Sequence, residues 1–428
     1  MTAFRFLTAG ESHGPALGVT IEGVPAGLRL TEDAIAADLG RRQKGYGLGA
    51  RQQIEQDRAE ILGGVRHGVT LGSPVMLLVR NRDWENWTRV MQVAPLSDDE
   101  ARALAESADG GDKRATPVTR VRPGHADLAG ALKYGFNDVR NVLERASARE
   151  TAARVAAGAV ARAFLAELGI EVWSFTAEVG GVAVDPSNCT RSREEADASP
   201  LRCPDPDAEE RMIARIDEAR SNGDTVGGVF EVVAHGLPIG LGSYVHWDRR
   251  LDAALAAAVM SINIVKGVEF GLGFEQTRRF GSAVHDVIGG RDAAGRWVHR
   301  SNNAGGLTGG VSNGEPIVVR GAVKPISTLA RPLPSADLLT GNAVEKAHYE
   351  RSDISVVPAA GVVGEAMVAL TLATAILEKL GGDSMAEVKD SMGRWRARLA
   401  AIPGGSDAPS DAHGDAPDGG TPSSGGDD

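Results

Sequence analysis

The stretch from Ser147 to Leu168 constrains the fold of this chain more than any other. It is rich in alanine, holds no proline and stops at Gly169, so it reads as one long helix. Its alanine stripe offers packing surface and no chemistry, which places it in a core. A second apolar stretch, Val356 to Leu377, is interrupted by Pro358, Gly361, Gly364 and Glu365. A membrane span needs roughly 20 apolar residues without such interruptions. This stretch therefore reads as a strand or turn followed by a core helix over Gly364–Leu380. Further helices are expected over Thr31–Arg42, where Thr31 caps and Ile35 and Leu39 stand at i, i+4, and over Asp207–Ser221 and Leu251–Val265. Runs rich in Val, Ile and Phe at Phe4–Ala9, Leu17–Glu22, Val75–Val79, Val226–Ala234 and Pro316–Val323 read as strands. Strands and helices do not alternate as in βαβ units, so the expected class is α+β with largely antiparallel pairing.

The chain has 428 residues, 42% of them hydrophobic, enough for one large domain or two ordinary ones. Its net charge of −11 argues against general nucleic-acid binding, which needs a basic face. An anionic substrate stays compatible with that charge if a few arginines face inward. The two cysteines, Cys189 and Cys203, form no CxxC pair, so neither a disulfide framework nor a cysteine-rich zinc site is expected, and a reducing cytoplasm fits. The start, MTAFRFLTAGESHG, has no apolar core of a signal peptide. From about Gly404 to Asp428 the chain is Gly, Ser, Asp and Pro, which bury too little to repay ordering, so disorder is expected there. Mobile loops are expected at Ser97–Thr116 and Asp185–Asp207.

Polar motifs flanked by small residues carry the chemistry. In GESHG at 10–14, Gly10 and Gly14 bracket Ser12 and His13 at a strand end, where a ligand reaches backbone. His13 is suited to moving a proton near neutrality; the plainer reading is a hydrogen-bonded turn histidine. In RPGHAD at 122–127, His125 stands two residues before Asp127, which in a turn orients the ring for general acid work. The alternative there is a metal-ligand pair, although no HExxH-like helical pair exists. Arg41, Arg42 and Lys44 precede GYGLGAR at 45–51, an arrangement suited to an anion or to a solvated helix end. Arg145, Ala146 and Ser147 open the alanine helix, whose free N–H groups suit a phosphate or a flavin edge. Asn263 closes another helix, KPIST at 324–328 follows a strand, and NNAGGLTGG at 302–310 is glycine-rich; each fits a cofactor cradle. RSD at 351–353 pairs Arg351 with Asp353, an arrangement that is more often structural than catalytic. No GxGxxG opening a helix after a strand, no GxxxxGK[ST] and no GxSxG is present, which disfavours Rossmann, P-loop and α/β-hydrolase enzymes.

From about Phe4 to Ile402 the chain resembles the chorismate synthase family. GESHGPALGVTIEGVP at 10–25, ERASARETAARVAAGAV at 144–160 and RSDISVVPAAGVVGEA at 351–366 are similar to its signatures, and RPGHAD, SINIVKGVE at 261–269 and KPIST follow in the family's order. The resemblance implies a β–α sandwich with largely antiparallel sheets and flanking helices, one domain over 1–403, and a homotetramer. It implies 1,4-anti elimination of phosphate from 5-enolpyruvylshikimate 3-phosphate to give chorismate, the last step of the shikimate pathway. That reaction requires reduced FMN without net redox, and involves no nucleic acid, membrane or metal. It also implies roles. His125 matches a general acid around the departing phosphate, His13 a group stabilising reduced flavin, and Asp353 a carboxylate near flavin N5. Ser12, Arg42, Arg51 and Arg149 match substrate-binding positions. Arg145, Ala146, Ser147, Asn263, Ile264, Gly309, Lys324, Pro325, Ile326, Ser327, Thr328 and Arg351 match positions contacting FMN, and Arg351 also suits the substrate's anionic groups. Some relatives, mainly fungal, reduce their own flavin with NADPH; no appended reductase domain is seen, so an external flavin reductase is the expected source.

Two departures stand out. Leu48 occupies a substrate-binding position where the family usually has an arginine, so Leu48→Arg is expected to lower the Michaelis constant. Ala146 replaces a common serine. Two rival readings fit the same residues: a metal-dependent phosphohydrolase using His13, His125, Asp127 and Asp353, and a non-enzymatic flavin-storage or interaction protein.

Overall fold

The computed structural model describes residues 4–49, 56–186, 189, 192–350 and 353–401. Four strands, β1 (Arg5–Ala9), β2 (Ala16–Glu22), β3 (Ala59–Gly63) and β4 (Val75–Arg80), form an antiparallel sheet in the order β1-β2-β4-β3. Five more, β5 (Glu171–Val179), β6 (Val182–Ala183), β7 (Gly228–His235), β8 (Val265–Phe270) and, after a hairpin of β9 (Leu307–Thr308) and β10 (Val311–Ser312), β11 (Ile317–Val323), form a second. Its order is β8-β11-β7-β5-β6, again antiparallel throughout. Ten helices accompany them among the described residues. They are α1 (Glu32–Arg42), α2 (Asp98–Asp109), α3 (Asp127–Tyr134), α4 (Arg140–Ala146), α5 (Thr151–Ala166), α6 (Arg193–Ala198), α7 (Pro206–Ser221), α8 (Leu251–Met260), α9 (Val357–Leu380) and α10 (Met385–Ala400).

The layers follow from burial. In the first sheet, Leu17, Val19 and Ile21 alternate with more exposed residues, as do Val75, Leu77 and Val79, so one face is apolar and the other meets solvent. The apolar face receives α5. In the second sheet β5 and β7 are buried in unbroken runs, because α9 covers one face while Trp173, Phe175 and Val233 pack with Ala196 on the other. The helices α5 and α9 pack on each other, giving sheet, helix, helix, sheet: the α+β sandwich expected, with further helices around it. Small residues set the spacing. A Cβ on Gly158 would lie 2.2 Å from Cβ of Ala366, so the helices touch nearly backbone to backbone.

Helix α9 is long and apolar enough to cross a membrane, but 89% of its apolar window is buried inside the fold. It also begins seven residues earlier than expected. Val356–Val363, read as a strand or turn, is helical from Val357. Pro358 sits in the first turn, where a missing N–H costs nothing. Gly364 is no helix breaker either: a Cβ there would meet the Phe230 ring at 2.5 Å.

Other expectations are corrected in the same way. Ser97–Thr116 is no loop: it carries α2, held by a capping box between Ser97 and Glu100. Its apolar stripe of Ala101, Leu104, Ala105 and Ala108 stands at helical spacing, but the helix buries none of it. The segment Asp185–Asp207 holds α6, capped by Ser192, and buries Cys203. The alanine helix starts at Thr151 after a 3-10 turn over Ala148–Glu150. The helix expected over Leu251–Val265 ends at Met260, and Val265 already belongs to β8. The proposed tail from Gly404, and Arg51, Arg351 and Ser352 of the motifs, lie outside the described residues.

Candidate active site

The distant motifs meet at a cavity of about 490 Å³ at one end of the helical layer. The β1–β2 turn, the start of α3, the α4–α5 junction, the α8–β8 turn, the segment after β11 and the start of α9 all contribute to its wall. Six cations, Arg42, Arg122, Arg145, Arg149, Arg154 and Lys324, line it against three carboxylates, Glu150, Glu350 and Asp353. On a chain of net charge −11, that local excess of positive charge marks a place for an anion.

Gly10 lets the chain leave β1: at φ +104 it takes a backbone shape other residues avoid, and a Cβ there would lie 2.4 Å from the Ala16 carbonyl oxygen. The turn delivers Ser12, whose N–H donates to the Glu144 carbonyl at 3.0 Å and whose Oγ lies 3.2 Å from Ser147 Oγ. His13 follows, buried, with its backbone N–H and Nδ1 at 2.7 and 2.8 Å from the Glu144 carboxylate. Trp87 stacks on the ring at a centroid distance of 4.0 Å.

The RPGHAD segment is a turn into α3. Asp127 is completely buried; it accepts from Arg122 Nε at 2.8 Å and Nη2 at 3.0 Å, and lies 2.5 Å from His125 Nδ1. Burial opposes ionisation, but the hydrogen bonds from His125 and Arg122 outweigh it and hold the Asp127 carboxyl well below its ordinary range. An ionised carboxylate only accepts, so the Asp127 contact calls for a proton on Nδ1, while Arg122 Nη2 lies 3.1 Å from Nδ1 and 3.5 Å from Nε2. Glu350 lies 3.7 Å from Arg122 Nη1 and 3.4 Å from His348 Nε2. Burial raises its pKa, yet His348 and Arg122 pull it down to about 2.

Arg42 and Arg149 share one counterion. Arg149 Nη1 lies 2.6 and 2.7 Å from the two Asp57 oxygens, and Arg42 Nη1 lies 3.5 Å from the second. Arg42 also donates to Thr151 Oγ1 and the Ala148 carbonyl, both at 3.0 Å. Burial pushes the Arg42 guanidinium down from its ordinary value, with Arg149 adding and Asp57 opposing. Asp353 and Glu150 add smaller opposing charges around Arg42. Nearby, Asp353 accepts from the Gly49 N–H at 2.5 Å.

The remaining wall is small and apolar. Ala146, Ser147, Ile262, Ile264, Ala359, Ala360 and Val363 surround Asn263, which donates to the Ala146 carbonyl at 3.2 Å. Lys324 donates to the Gly124 carbonyl, beside Ile326, Ser327 and Thr328.

Most of the residues singled out from sequence therefore converge here. Some do not. Leu48 is absent from the cavity wall and its Cδ1 lies beside Gly45, so the expected gain from Leu48→Arg has no geometric basis. Gly309 is at the tip of the β9–β10 hairpin, and neither it nor Pro325 lines the cavity. Arg41 points into the fold, where it makes two 2.7 Å contacts to buried Glu365, alongside Arg202 and Arg162. Sequence reasoning passed over Arg122, Asp57, Trp87, Glu144, Arg154 and Glu350. Arg122, Glu144 and Arg154 stood inside quoted motifs, but only folding shows which carboxylate meets which cation. Among the described residues no three His, Cys, Asp or Glu converge as metal ligands, and Asp127 is consumed by Arg122 and His125.

The class that fold and site define is an α+β protein with carboxylate-anchored histidines facing an arginine-lined cleft. A family model described as chorismate synthase matches residues 4–377. The chorismate synthase of Bacillus cytotoxicus is 52% identical over 393 residues, covering 91% of this chain and 98% of the relative. That of Geobacter sulfurreducens is 56% identical over 393 residues, covering 90% and 96%. A crystal structure of chorismate synthase superposes with a TM-score of 0.73 at 43% identity, covering 94% of this chain and all of that one. The chain belongs to the chorismate synthase family.

Proposed function

We propose that the protein converts 5-enolpyruvylshikimate 3-phosphate to chorismate and inorganic phosphate, with reduced FMN as a required cofactor. The observation that carries this is the cavity itself: arginines in excess of carboxylates, two histidines, and an adjoining apolar strip in one enclosure. The substrate carries a phosphate and two carboxylates, which need several cations at once. Arg42, Arg122, Arg149 and Arg154 all line that one enclosure, so several cations can meet the charges of a single small molecule.

In the reaction the C3–O bond to phosphate and a C6–H bond break, and a second ring double bond forms. In its imidazolium form His125 would give the Nε2 proton to the departing phosphate and keep its Nδ1 proton directed at Asp127, which holds the ring and balances its charge. Arg122, tied to Asp127, fixes that pair. Asp353, held by the Gly49 amide, is the carboxylate available to handle the ring proton near the cofactor.

The donor set fits FMN. Arg145, Ala146, Ser147, Asn263, Ile264, Lys324, Ile326, Ser327 and Thr328 form a wall with backbone exposed by small side chains and a lysine for the cofactor phosphate. Ala359, Ala360 and Val363 offer a flat apolar floor suited to a ring system. When bound, reduced FMN supplies transient electron density to the allylic C–O bond and recovers it, so turnover involves no net redox. His13 faces the same cavity and is suited to stabilising the reduced flavin's charge. Reduced FMN comes from an external flavin reductase, and the assembly is a homotetramer.

The test is anaerobic turnover of the phosphorylated substrate, followed by chorismate absorbance, with reduced and oxidised FMN side by side. Product with reduced FMN alone supports the reading; the same rate with oxidised FMN, or no product with either, refutes it.

A further inference from the structure

Both cavity histidines have Nδ1 against a buried carboxylate, but the two pairs differ. Asp127 stands two residues from His125 in the same turn, whereas Glu144 reaches His13 from α4, 131 residues away. Glu144 is 1% exposed and clamps His13 twice, at the backbone N–H (2.7 Å) and at Nδ1 (2.8 Å). Both contacts need an acceptor, and a carboxylate supplies two. The ring is closed in on its face by Trp87, whose Nε1 donates to Asp83 Oδ2 at 2.9 Å, and Arg140 lies 5.2 Å over the same indole. Arg140 also stands 3.8 Å from the Glu144 carboxylate. Tautomer, tilt and depth of His13 are thus all set from outside the cavity, and Nε2 is the nitrogen left for ligand.

We propose that Glu144 is a positioning residue for catalysis: it holds His13 as the Nδ1–H tautomer and presents Nε2 to the bound cofactor and substrate. The inference rests on the proposed reaction. Glutamine at 144 has one acceptor and one donor in place of two acceptors. It either faces the His13 N–H with its own NH2 or forces the ring proton to Nε2, and both disturb what the cavity sees.

The experiment is a double-mutant cycle on the full chain with reduced FMN and substrate. Glu144→Gln lowers kcat at least about tenfold while KM stays within about twofold, and Glu144→Asp, which keeps charge and acceptors, recovers part of the rate. In the His13→Ala background Glu144→Gln causes no further loss, because its effect passes through His13. A merely structural role would slow the His13→Ala enzyme further. If the Gln variant does not fold, Glu144→Asp replaces it in the cycle. Wild-type kcat in Glu144→Gln, or a double variant more than about threefold slower than His13→Ala, overturns the proposal. Failure of the wild type to make chorismate would instead sink the reaction. The pairing is then judged by 15N-histidine NMR of the ligand-free protein: an Nδ1–H signal for His13 lost in Glu144→Gln supports it, and an unchanged tautomer overturns it.

Discussion

Asp57→Asn exposes what the cation-rich wall is for. Asp57 is fully buried, accepts from Arg149 Nη1 at 2.6 and 2.7 Å, and lies 3.5 Å from Arg42 Nη1. Asparagine keeps the shape but removes the charge and turns an NH2 toward the guanidiniums. Breaking a buried ion pair from one side costs about 3–5 kcal/mol, because the partner is left uncompensated. Unfolding entropy of about 2.1 cal/mol/K per residue over 428 residues makes that a fall in Tm of roughly 3–6 °C. The two arginines then lose the charge of Asp57, so an external anion binds better to the variant. Phosphate at about 100 times its Kd would return about 2.7 kcal/mol, most of the loss. The assay is thermal unfolding of both proteins in phosphate and in chloride at matched ionic strength. Phosphate should raise the variant's Tm by up to about 3 °C, and by less in the wild type. A variant within about 1 °C of wild type, or equal response to phosphate and chloride, would refute the idea that these arginines await an anion.

Three further outcomes are expected. Gly158→Val places a side chain where Ala366 already lies within 2.2 Å of a Cβ, so stability should fall by at least about 1–3 kcal/mol in denaturant titration. His125→Ala should lower turnover more than tenfold, about 1.4 kcal/mol of barrier, while FMN titration shows binding intact; a smaller loss removes the general-acid role. Glu350 is held down to about 2 from 4.5, so its ionised form stabilises the fold above pH 4.5 and that contribution is lost as pH falls toward 2. Glu350→Gln should therefore flatten the stability profile between those limits, and an unchanged slope would show that His348 and Arg122 do not hold it.

Local patterns were legible in the sequence where one element decides its own structure. Alternation in Leu17–Ile21 and Val75–Val79 marks half-buried strands, and the alanine run marks a core helix. The start of α9 was not legible, because Pro358 and Gly361 look like breakers until the packing of Gly361 against Ser174 Oγ, 2.8 Å from a Cβ, explains them. Helix α2 shows the opposite case: the Ser97–Glu100 box and the weak stripe of Ala101, Leu104, Ala105 and Ala108 were both in the sequence, yet the helix buries nothing. At the site, His125 and Asp127 are neighbours in sequence, so their pairing could be read directly. The union of His13 with Glu144, or of Arg149 with Asp57, depends on long-range folding that spacing does not encode. Arg41 and Arg42 make the point most sharply: adjacent and chemically identical, one turns to Glu365 in the core and the other to the cavity.

The central claim is elimination, not hydrolysis, and the stoichiometry of products decides it most directly. Phosphate release and chorismate absorbance should be followed together in one anaerobic reaction with reduced FMN. The account predicts one phosphate per chorismate at every time point, with neither released when FMN is oxidised. Phosphate released without chorismate would contradict it and point to a phosphohydrolase.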